Sequence, residues 1–260
     1  VAAERIGIVA RYTFAESAGV RLFSVMGAFA IVLFGVSRIV GPLSAGEDVK
    51  IVKDLGLAAA ELTSAVMAVV LATGTLLGDV DRRVMMTWLS KPLHRWEFLV
   101  GKFLGVACAL ALNVALMGSL LLFVLATMNG VQTVDPRLGA ALAMIAAEVI
   151  LLAAAAFFLA VFSSSTLAAT LLTAGIFVAG QLSGDLRAFS GTGVSPWVQT
   201  AIAAVGWMLP AFSSFDVKAQ VVHGVPVPSA DVAVMVGYAA LYSAGLLAAA
   251  AALFARRELQ

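Results

Sequence analysis

Cysteine occurs once in this chain of 260 residues, and histidine twice. Cys108 has no internal partner for a disulfide, and it stands in an apolar run where any small hydrophobe would serve. His94 and His223 lie far apart with no cysteine beside either, so neither a metal site nor axial haem ligation is indicated. Charge is equally scarce. Only 12% of residues are Asp, Glu, Lys or Arg against 62% hydrophobic, and the mean hydropathy is +1.04, well outside the range of soluble domains, so the chain is an integral membrane protein. A formal net charge of +1 lacks the basic footprint of a nucleic-acid binder. A phosphate loop is missing too: Gly101-Lys102 has Trp96 where the first glycine belongs and Phe103 where Ser or Thr should follow. The serines at 163–165 have no histidine base at any readable spacing, so no catalytic residue is assigned.

What the chain has in abundance is long apolar runs. A membrane-crossing helix needs about 20 mostly apolar residues, and six windows fit: Arg21 to Val40, Leu57 to Leu77, Phe103 to Met128, two within Leu138 to Leu182, and Val232 to Phe254. The fourth and fifth are separated by the polar cluster Ser163, Ser164, Ser165 and Thr166, which predicts a tight turn. The fold class is therefore all-α, a single transmembrane domain over 1–260. Residues 1–20 carry Glu4, Arg5, Arg11 and Glu16, too mixed a charge for a signal peptide, and predict a helix lying loosely on the membrane surface. Residues 184–231 form an extracytoplasmic loop. Within it Gln199 to Phe212 is apolar but too short to cross and is interrupted by Pro210, so it is expected to dip into or lie on the outer leaflet, with Trp197 and Trp207 at the interface. The alternative is a wet loop with a short apolar patch.

Five of the sixteen Lys and Arg residues fall in one island, Asp79 to Lys102. On a helix starting near Asp79, Val80, Val84, Met85, Trp88 and Leu89 form one apolar stripe, and Arg82 and Arg83 point away from it. Asp79 and Asp81 would occupy its first turn, where the helix dipole favours negative charge, and Pro92 stops it just after Lys91. Arg95 and Trp96 mark the headgroup level, and Gly101 and Gly105 let the third span approach a neighbour closely. The stripe opposite an arginine pair points to a docking surface, whereas Lys102, Arg256 and Arg257 read as membrane-flanking charges. With both termini and this island on the cytoplasmic side, ten Lys and Arg lie inside and six outside, as the positive-inside rule prefers.

The order GTLLGDVDRR, TWLSKPLHRWEFLVGK, then FLG resembles the permease subunits of type-2 ATP-binding-cassette (ABC) transporters. Leu89, Ser90, Lys91, Pro92, Arg95, Gly101 and Lys102 match that pattern as they stand, while Asp79 replaces the commoner Glu and Val84 the commoner Thr. Ser213 to Gly224 (SSFDVKAQVVHG) is similar, more weakly, to the segment before the last span in a subset of these permeases. The resemblance implies an exporter-type domain in a bacterial cytoplasmic (inner) membrane, with an interfacial N-terminal helix, six spans and re-entrant helices before the last one. It further implies that the loop at 79–98 is a coupling helix docking on a separate ABC ATPase. The expected partners are two ATPase subunits holding ATP and Mg, a second permease identical or similar to this one, and membrane lipid. The third-span glycines and small-residue faces would supply the permease contacts. No cofactor is expected on this chain itself.

Inside the spans, an ionised carboxylate costs on the order of 3 kcal/mol. Glu61, near the outer end of the second span, is expected to reach water, with Ser64, Ala68, Ala72 and Thr75 continuing its face. Glu148, near the middle of the fourth, is expected to be a protonated, hydrogen-bonded structural residue ahead of a substrate contact or proton relay. Asn113 is expected to be interhelical glue. Two competing functions stay open: a proton-coupled secondary transporter using Glu61 and Glu148, and a membrane anchor that recruits a cytoplasmic partner through the island.

Overall fold

A computed structural model describes residues 2–40, 47–81, 94–129, 135, 137–163, 165–189 and 210–256. Every regular element among them is helical: α1 (Ala2–Ser17), α2 (Val20–Val40), α3 (Asp48–Asp81), α4 (Arg95–Asn129), α5 (Arg137–Phe162), α6 (Thr166–Phe189), a 3-10 turn (Phe212–Phe215), α7 (Lys218–Val222) and α8 (Ser229–Arg256). Among the described residues four stretches are long and apolar enough to cross a membrane: Asp48–Gly78, Trp96–Met128, Arg137–Phe162 and Ser229–Phe254. The apolar stretches Ser24–Arg38 of α2 and Thr166–Leu182 of α6 are shorter. Of the expected dipping segment, only Pro210 to Phe212 falls within the described residues.

Side-chain contacts fix the helix directions. Lys102 meets the Thr75 carbonyl and Ser64 meets Met117, so α3 and α4 run antiparallel. Phe103 stacks edge-on against Phe157 with centroids 5.8 Å apart, while a Cβ at Gly118 would strike Leu142, so α4 and α5 are antiparallel as well. Thr73 and Thr170 share a hydrogen bond of 3.0 Å and Gln181 meets Glu61, which together set α6 antiparallel to α3. The ends of α3 and α4 that flank the island thus lie at one end of the bundle. The start of α3, the start of α5 and the Gln181 part of α6 lie toward the other, called here the far end.

The most buried helix is α5. Sixteen of its 26 residues are buried, Leu151 through Phe157 among them, because α3, α4, α6 and α8 all pack on it. Its start is set by Asp135, whose side chain accepts from the Arg137 amide at 3.0 Å. Its end falls where the sequence placed a turn: the Ser163 hydroxyl accepts from the Ser165 amide at 3.2 Å and donates to the Ser165 carbonyl at 3.0 Å, turning the chain into α6. By contrast α8 leaves most of its surface uncovered, with Leu241 78% exposed. That outcome suits a helix whose outer face meets lipid.

Two expectations are corrected here. The first concerns helix length. α3 has 34 residues and α4 has 35, each about 51 Å at 1.5 Å per residue, well beyond the ~30 Å hydrocarbon core. α3 begins at Asp48 rather than near Leu57, and it runs unbroken through Asp81. Asp79 and Asp81 therefore continue α3 and are not in the first turn of a separate helix. The second concerns α1, which is firmly seated. It follows α4 upward, with Val9 opposite Gly101 and Thr13 opposite Gly105, and Val9, Thr13 and Ser17 are buried. The two glycines sit against the chain's own α1 rather than a second copy, because nothing larger than a hydrogen at 101 and 105 admits its backbone.

Candidate functional site

Two polar constellations stand out, one at each end of the bundle. At the far end, α3 contributes Glu61, α5 Glu148 and α6 Gln181. The single amide nitrogen of Gln181 donates to Glu61 Oε1 at 2.9 Å and to Glu148 Oε1 at 2.6 Å, joining carboxylates that the sequence keeps far apart. Glu61 Oε2 accepts in turn from the Lys218 ammonium, on the first residue of α7. Lys218 also lies 3.6 Å from Asp216, whose Oδ1 accepts from the Lys218 amide at 3.1 Å in a local turn that opens α7.

Glu148 is 2% exposed and Glu61 8%. The expected path of Glu61 to water is thus closed by Gln181 and Lys218. Three carboxylates and one ammonium share this cluster. Burial pushes the Lys218 pKa down from its ordinary value, and the negative field of Asp54 opposes that shift.

Aromatic and main-chain contacts hold α7 and its flanks over these groups. Phe212 fills a notch left by Gly180 of α6 and meets Phe177 with centroids 5.6 Å apart. The Ala211 amide donates to the Tyr238 hydroxyl of α8 at 3.4 Å. At the other side, the Arg137 guanidinium of α5 donates to the carbonyl of Gly224, whose φ of +73° marks the sharp turn out of α7.

At the near end, the two stems of the island are fastened together. Lys102 is 2% exposed; its ammonium donates to the Thr75 carbonyl at 2.8 Å and lies 5.4 Å above the Phe98 ring. It is an interior tie between α3 and α4, not the flanking charge the sequence suggested. Glu97 reaches back to the His94 amide at 3.1 Å, closing the first turn of α4, and lies 3.9 Å from Arg5 of α1. Arg95 opens α4, whereas Arg82, Arg83, Trp88, Lys91 and Pro92 lie outside the described residues.

A family model described as ABC-2 family transporter protein matches residues 30–259. The chain belongs to the ABC-2 transporter family. It is accordingly a multi-pass membrane protein and a permease of an ABC-type transporter rather than an enzyme. No curated protein sequence matches it. Within this ABC-2 chain the matched region takes in both constellations, all but the α1 contacts of the near-end tie.

The remaining singled-out residue, Asn113, is fully buried in α4, and neither end of its amide has a hydrogen-bond partner among the described residues. It is not glue of the expected kind there. Ser64, Ala68, Ala72 and Thr75 are all buried, so the small-residue face of α3 is a packing face. Gln181, Lys218 and Asp216 were not anticipated as site residues. Gln181 is the one amide in the apolar run from Thr166 to Leu182, and that is the signal which could have found it.

Proposed function

We propose that this chain is the membrane subunit of an ATP-driven exporter, coupled to a separate ATPase through the segment Asp79 to Pro92. The observation that carries the reading is the near-end tie. Lys102 joins α3 to α4 beneath that segment, and Glu97 and Gly101 bind the same stem to α1. A docking knob transmits a rigid-body movement only when its stems are stiff, and these stems are long helices fastened to one another. In this reading ATP and Mg sit on two copies of the ATPase, and the permease binds no cofactor. The membrane is a bacterial cytoplasmic one, with both termini and the island inside. α2 to α6 and α8 are the six spans, and Gln199 to Phe212 belongs to the re-entrant part. A second permease would meet the exposed apolar face that α2, α3 and α6 share, where Ile31, Val66 and Leu171 point outward.

Gentle purification of the tagged chain from its native membrane is expected to bring down an ATPase in roughly equal amount. Trp88→Ala combined with Arg83→Ala should remove that ATPase from the complex while leaving the chain inserted. Retention of the ATPase by the double variant, or its absence from the wild type in several mild detergents, would sink the proposal.

The joined carboxylates give specific support to a second reading, a proton-coupled carrier in which Glu61 and Glu148, held together by Gln181, take up and release the coupled protons. It predicts transport driven by a proton gradient without ATP, abolished in Glu148→Gln. Transport that needs ATP and survives this substitution excludes it.

A further inference from the structure

We infer that residues 210–228 form a strap across the far end of the bundle, and that the Lys218–Glu61 ion pair is a reversible latch holding it shut. The inference goes beyond the exporter reading and stands whatever drives the chain.

The strap has little rigidity of its own. α7 is five residues long, far below the length at which a helix persists unaided, so its place is dictated by its anchors. On one side of Lys218 the anchors are Phe212 in the Gly180 notch and the Tyr238 hydroxyl; on the other is Arg137 at Gly224. Between them the ammonium of Lys218 is the charged tie that reaches α3.

What makes this tie a latch rather than a weld is the state of each half once they part. Glu61 keeps its bond from Gln181, which also holds Glu148, so the bundle side stays hydrogen-bonded. Lys218 keeps Asp216, which rides on the same strap, faces the ammonium at 3.6 Å and is 47% exposed at its side chain. Both ions therefore retain a partner in the open state, and the ammonium gains water. A buried pair with no such second partners would be stranded on opening, and stranding is what makes ordinary buried pairs hard to break. Under the latch Val221 is fully buried, and it would be uncovered as the strap lifts.

The test uses the full chain with Cys108→Ala and a single reporter, Val221→Cys, in lipid nanodiscs, where a charged maleimide reaches both faces. The labelling rate is normalised to Val225→Cys, an already exposed position. Slow labelling is expected in the parent and in Lys218→Arg, and a rise of about tenfold in Lys218→Met, where the ion pair is gone. A second reporter away from the strap, Ala153→Cys in the buried part of α5, should stay unlabelled in the parent and in Lys218→Met alike. Fast labelling in the parent, or no rise in Lys218→Met, overturns the latch. So does labelling of Ala153→Cys that rises along with Val221→Cys, because general loosening of the fold, unlike loss of one pair, uncovers the core as well.

Discussion

Replacing Gly105 by leucine is expected to detach α1 from the bundle. A Cβ built at Gly105 would lie 2.6 Å from the Ala10 carbonyl oxygen, 2.6 Å from Thr13 Cβ and 3.0 Å from the Phe14 amide nitrogen. Two of these three atoms belong to the backbone of α1, so no rotamer change relieves the clash and the whole helix must back away. Overpacking a close contact costs about 1–3 kcal/mol per site, and here the displaced element also carries buried Val9, Thr13 and Ser17. Gly74, with nothing within 4 Å of its virtual Cβ, is the matched control. Gly74→Ala should be neutral or gain up to about 1 kcal/mol from helix propensity. The checks are thermal unfolding of the purified chain and trapping of Arg5→Cys with Glu97→Cys by a short bifunctional maleimide in a Cys108→Ala background. The loss should appear in both for Gly105→Leu and in neither for Gly74→Ala. Wild-type melting and trapping in the leucine variant would show that the α1–α4 contact does not hold the protein together.

That contact also shows what a sequence can and cannot convey. The spacing of Gly101 and Gly105 announces a close neighbour, because only hydrogen side chains allow backbones so near. It carries no information on whose backbone arrives, and the answer is the chain's own N-terminal helix. The turn between α5 and α6 was legible because its cause is local: the Ser163 hydroxyl bonds a residue two positions on. The length of α3 was not, since Asp48, Lys50, Lys53 and Asp54 fall outside any apolar window, although Lys50 and Lys53 continue a helix readily and Asp48 suits its first turn. Lys102 was misjudged for a related reason. Charges at the ends of spans normally snorkel to water, and only the approach of Thr75 and Phe98 turns this one inward.

Glu61 and Glu148 were conspicuous one by one because buried carboxylates are costly. Their union is invisible locally, as Gln181 lies 120 and 33 residues away from them in sequence. Lys218, 157 residues beyond Glu61, sits in a stretch marked only by its weaker resemblance to the segment before the last span, with no sign of its partner.

The junction itself predicts a non-additive response. Gln181→Leu removes the donor that Glu148 and Glu61 share, leaving Glu148, only 2% exposed, without that bond. A buried polar group deprived of its partner costs about 1–3 kcal/mol, and more if it is charged. Glu148→Gln should be mild, because the new amide still offers an oxygen to Gln181 at the same place. Removing both partners with Gln181→Leu and Glu148→Leu takes away the stranded group along with its donor. The double variant should therefore be more stable than Gln181→Leu alone, with an interaction energy of about 1–3 kcal/mol in the double-mutant cycle. Thermal unfolding of the wild type, Gln181→Leu, Glu148→Leu and the double variant in the same lipid measures it. Additive losses would mean that the Gln181 amide does not hold Glu148 in the folded chain. A large interaction energy would make the amide the link through which α3, α5 and α6 sense the strap, since Glu61 is bonded to Gln181 on one oxygen and to Lys218 on the other.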